Sequence, residues 1–106
     1  MKFTLNYSGE NITTLMRRIG YFFLKEGVGE LSFVRPLQGA SYPRFHVYLE
    51  IKKEISVITF GLHLDQKMPS YKGTPAHNGE YDGKLVEKET ERIKRILEQR
   101  ITNNEQ

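Results

Sequence analysis

Three histidines are the residues of this chain best suited to chemistry, and all three fall between residues 46 and 77. His46 lies in PRFHVYLEIK, His63 in ITFGLHLD, and His77 in the polar stretch that follows, three residues before Glu80. Imidazole changes charge near neutral pH, so it suits proton transfer. With carboxylates it also forms the donor set of divalent transition metals such as zinc, nickel, manganese or iron. Asp65 follows His63 by two residues and shares its face if the strand continues.

The elements that would position these groups are two alternating segments. Phe45, Val47, Leu49 and Ile51 alternate with Arg44, His46, Tyr48 and Glu50, and Ile58, Phe60, Leu62 and Leu64 alternate with Val57, Thr59, Gly61 and His63. A period of two marks half-buried strands. A tight hairpin around Lys53-Glu54 would set Arg44 opposite His63, His46 opposite Gly61 and Tyr48 opposite Thr59. His46 and His63 would then be diagonal neighbours, about 6–8 Å apart at Cβ, with Gly61 leaving room between them. The expected site therefore takes His46, His63, His77, Asp65 and Glu80 as metal ligands or proton carriers. Arg44 and Tyr48 would contact an anion or another ligand. Three neutral nitrogens would make an open site of the catalytic kind. The spacing matches no H-E-x-x-H helix, P-loop, dinucleotide-binding turn or nucleophile elbow, so no catalytic residue is singled out.

The same residues support other readings. Histidines on a sheet face are often only solvated polar groups. Arg44, His46, Tyr48 and Arg35, with Arg17, Arg18, Lys67 and Lys72 on the rim, could instead face nucleic acid, phosphates pairing with the cations and bases stacking on the aromatics. A net charge of +3, from 16 basic and 13 acidic residues, is small for that role. A second copy covering this face would give a homodimer with Tyr48, Val57 and Thr59 at its centre.

Around this hairpin the pattern predicts β-α-β-β-β-α. Residues 1–7 alternate as a strand. Ile12, Leu15, Met16, Ile19 and Phe23 give one helical stripe from Ile12 to about Glu26, with Asn11 or Thr13 as its cap and Gly27 and Gly29 as its stop. Glu30 to Arg35 reads as a strand ended by Pro36. Residues 65–83 are rich in glycine, proline and polar groups, a long irregular stretch of the kind that often carries function. Lys84 to Ile101 is a second helix, capped by Asp82, with a flexible tail at 102–106. The expected fold is a single α+β domain over 1–101. It would be a two-layer sandwich, a largely antiparallel four-stranded sheet with both helices on one face.

The 106 residues include no cysteine, which excludes disulfides, thiolate catalysis and cysteine-ligated clusters. No apolar run is long enough to span a bilayer, and the first residues do not resemble a signal peptide, so a cytoplasmic protein without membrane contact is expected.

The segments PRFHVY, LHLDQK and AHNGEYDG resemble those of a group of small uncharacterised bacterial proteins in which similar segments occur in the same order. The resemblance runs from Met16-Arg17-Arg18-Ile19-Gly20 to the last helix. It implies a free-standing bacterial-type protein, and no reaction, cofactor or partner.

Overall fold

A computed structural model describes residues 1–66, 79–80 and 83–104. His77, Asp82 and most of the irregular stretch lie outside these residues, as do Lys67 and Lys72.

The chain begins with β1 (Lys2–Asn6) and α1 (Ile12–Arg18). Asn11 caps α1, its side-chain oxygen accepting from the Thr14 amide at 3.0 Å. The helix was expected to reach about Glu26 but stops at Arg18. The reason is Gly20, which takes φ +89. There the Gly20 amide donates to the Arg17 carbonyl and the Tyr21 amide to the Met16 carbonyl. This is the Schellman closure, which needs a left-handed residue after the helix. The aromatic run beyond it then enters β2 (Phe22–Gly27), in keeping with the strand preference of such residues.

β2 turns through Val28-Gly29 into β3 (Glu30–Pro36). β4 (Arg44–Lys52) and β5 (Val57–Asp65) form the long central hairpin, β6 (Gly79–Glu80) is a two-residue strand, and α2 runs from Lys84 to Asn104. The sheet order is β1-β5-β4-β3-β2, with β6 also on β5, and every pairing is antiparallel. The sheet thus has five main strands where four were expected. The extra one is β2, taken from the expected helix.

One face of this sheet is the core. Phe3, Leu5, Phe33, Phe45, Val47, Leu49, Ile58, Phe60, Leu62 and Leu64 are buried with Leu15, Met16 and Ile19 of the α1 region and Val86, Ile93 and Leu97 of α2. Both helices therefore feed the same apolar layer. A buried polar knot ties them together. The Tyr21 hydroxyl donates to Glu89 at 2.6 Å, and Arg92 grips the same carboxylate at 2.8 and 2.9 Å. Arg92 also donates to the Ile19 carbonyl at the end of α1. No helix among the described residues is long and apolar enough to cross a membrane.

Candidate metal centre

Alternation along β4 and β5 sends the apolar residues to the core and Arg44, His46, Tyr48, Gly61, His63 and Asp65 to the opposite face. The pairing differs from the expected one by two residues. Arg44 faces Asp65, His46 faces His63, and Tyr48 faces Gly61. The cause lies in the connection. A short 3-10 turn, Lys53–Ile55, followed by Ser56 at φ 53, replaces the tight turn. A shift of two leaves every side chain on its expected face. It also moves the histidines from diagonal to directly opposed positions.

Asp65 gathers the group. His46 Nδ1 lies 3.1 Å from its Oδ2, His63 Nε2 lies 2.8 Å from its Oδ1, and Arg44 Nε donates to Oδ2 at 3.1 Å. An ionised carboxylate only accepts, so the ring nitrogens that meet it carry the protons. Burial alone would raise the Asp65 pKa. The hydrogen bonds from His46, His63 and Arg44, with the charge of His63, outweigh that and hold the carboxyl well below the usual carboxylate range.

The rings pack as a unit. His46 stacks on Tyr48 at 4.4 Å between centroids and lies 4.8 Å from His63, while Tyr48 and His63 are 5.5 Å apart. Arg44 also covers the Tyr42 ring at 4.4 Å, a contact the sequence reading missed. His46 and His63 are 6% and 7% exposed, so neither is a merely solvated surface group. Nε2 of His46 is buried and has no hydrogen-bond partner among the described residues.

The structure thus brings together His46, His63 and Asp65, the one group of three metal-type donors among the described residues; their ligand atoms all lie within 4.8 Å of one another. His77 falls outside the described residues. Glu80 was expected to join the site. It lies in β6, paired with Leu64 of β5, and its side chain lies outside the described residues. Arg44 was read as an anion contact, and its Nε proton is committed to Asp65. Arg35 was placed on this face, but it pairs opposite Phe45 and reaches Glu89 at 3.6 Å on the core side.

Comparisons of the chain with protein-family models, with curated proteins and with solved structures found no match.

Proposed function

We propose that His46, His63 and Asp65 bind a divalent transition metal ion. One observation carries this reading: the donor atoms of both imidazoles already meet the two oxygens of one carboxylate, at 3.1 and 2.8 Å. Ligand atoms about 2.1 Å from one ion and at right angles to each other stand roughly 3.0 Å apart. An ion would take the place of the two ring protons, each passing to the other nitrogen of a neutral ring or leaving from a charged one, as the ligand atoms close from their present span of up to 4.8 Å. Two imidazoles and one carboxylate form the set that leaves coordination positions open, with zinc, iron, manganese and nickel as its usual ions. Arg44 would keep Asp65 oriented, as hydrogen-bonded groups behind metal ligands do. The metal would supply Lewis acidity, or an activated water, beside the cavity that His63 lines.

The test is elemental analysis of untagged protein, followed by melting with zinc, nickel or manganese and with chelator. Stoichiometric metal is expected. So is a rise in stability near 2.7 kcal/mol at about a hundred-fold excess over Kd, lost in His46→Ala and His63→Ala. Absence of both metal and shift would overturn the reading.

The buried Nε2 of His46, without a partner among the described residues, supports a second reading, proton transfer without metal. Asp65 would hold the Nδ1–H tautomer and leave a lone pair at Nε2, the arrangement of an oriented base. Imidazole nitrogen shifts by NMR separate the two, because metal binding moves both rings together and a metal-free base leaves them unchanged on adding chelator.

A further inference from the structure

Next to the histidines the outer sheet face holds a cavity of about 240 Å³, lined by residues that include Lys2, Glu30, Tyr48, Glu50, Gly61 and His63. Gly61 makes the recess. It stands between Lys2 of β1 and Tyr48 of β4. The backbone there does not require glycine. A Cβ at Gly61 would meet only the Tyr48 carbonyl at 3.8 Å and the Tyr48 Cβ at 3.9 Å, ordinary contacts. The neighbouring strand positions carry large side chains, so the missing one opens space that packing alone does not demand.

The lining chooses what could fill that space. Tyr48 offers a ring wall, continuous with the stack it makes on His46 and His63. Glu30 and Glu50 come from adjacent strands, and β3 pairs with β4 so that Leu31 faces Leu49, one residue from each. Two carboxylates side by side repel each other. Lys52 reaches Glu50 at only 3.7 Å, and both of those side chains are half exposed, so it screens the pair weakly. Lys2 and the Met1 ammonium, which donates to the Leu62 carbonyl at 2.8 Å, line the β1 side of the cavity, and on its β4 side an aromatic wall beside two adjacent carboxylates favours a cation with a flat face. The volume lies below the roughly 300–1,000 Å³ of sites for drug-sized ligands, which limits the occupant to a small molecule.

We infer that this cavity binds a small planar cation, an aromatic ring carrying an amine or amidine. Its face lies on Tyr48, its charged end points to Glu30 and Glu50, and its far edge points to His63. The inference rests on the metal reading only in placing that edge beside a reactive centre. The binding itself needs no metal.

The test is therefore made on chelator-treated full-length protein. Its backbone amides are followed by NMR during titration with benzamidine, benzoate and cyclohexylamine. Benzamidine is expected to give saturable shifts at Gly61 and Thr59, with affinity at least ten-fold above that of benzoate and of cyclohexylamine. Glu30→Gln with Glu50→Gln should remove the preference over benzoate. Gly61→Val should abolish the shifts, and Tyr48→Leu, which leaves the recess open, should weaken them. Benzoate binding as well as benzamidine would show that Lys2 rules the site and would overturn the inference. So would equal binding of cyclohexylamine, or no saturable shift at these amides. Loss of the metal reading would leave all these outcomes unchanged, and the metal assays do not depend on the ligand.

Discussion

His46 and His63 face each other directly across the β4–β5 ladder, and each meets a different oxygen of Asp65. One carboxylate thereby holds two imidazoles and the Arg44 guanidinium on a sheet face. Its acceptor capacity makes this possible, since a carboxylate offers about four lone-pair sites and no donor. An amide in its place would turn an NH2 toward one of the three donors. Asp65→Asn is therefore expected to lose about 2–3 kcal/mol, the range for hydrogen bonds to a charged group left unsatisfied. Urea unfolding of the metal-free protein measures it. A loss under 0.5 kcal/mol would mean that the group is held together by ring stacking alone.

The depressed Asp65 pKa gives the acid limb of stability a definite sign. Unfolded, this carboxyl takes a proton near pH 3.9. Folded, it stays ionised to lower pH, because hydrogen bonds from His46, His63 and Arg44 outweigh its burial. Between those two values the unfolded chain binds more protons, so stability rises with pH. The contribution is complete above the ordinary carboxylate range and is lost as pH falls toward the folded value. Stability measured from pH 6 down to pH 2 should fall more steeply in the wild type than in Asp65→Asn. Parallel curves would remove Asp65 as the source.

Much of this arrangement was legible from alternation alone. The period of two along Arg44–Lys52 and Val57–Asp65 gave both strands and both faces. The faces survived the error in register because the slip was even. The direct opposition of His46 and His63 was not legible, because it depends on how many residues the Lys53–Ser56 connection uses. The Ile12–Glu26 stripe misled because Phe23 continues a helical spacing that Gly20 breaks in three dimensions. Nothing local marks Glu89 as the partner of Tyr21, 68 positions away in sequence. Such pairs are made by the fold, not by spacing.

That pair leads to a second stability prediction. Glu89 is 4% exposed, and it receives Tyr21, two bonds from Arg92 and the nearby Arg35. Burial, reinforced by the Glu89 charge, pushes the Tyr21 phenol up, so it remains a donor throughout the accessible pH range. Removing the acceptor leaves a partly buried Arg92 without its charge partner. Glu89→Ala should cost about 3–5 kcal/mol, and Tyr21→Phe about 1 kcal/mol with its weaker claim on the same oxygen. The double variant should fall short of the sum, because both changes act on one network. Additive losses in thermal unfolding would show that Tyr21 and Glu89 act separately.

The turn after α1 can be tested at a single position. Gly20 sits at φ +89, and a Cβ there would lie 3.2 Å from Cδ of Arg35, the side chain that reaches Glu89. Two costs then coincide in Gly20→Ala. The left-handed backbone disfavours any side chain by roughly 1–2 kcal/mol, and the added methyl pushes Arg35 off its path. Gly39 is the internal control, since it has no positive φ and nothing within 4 Å of the added atom. Gly39→Ala should be neutral or stabilise by up to about 1 kcal/mol through the unfolded state. Chemical denaturation of the two variants side by side decides the matter. If Gly20→Ala unfolds at the wild-type midpoint, the helix does not depend on its glycine to end, and the entry of the aromatic run into β2 must be driven by sheet pairing alone.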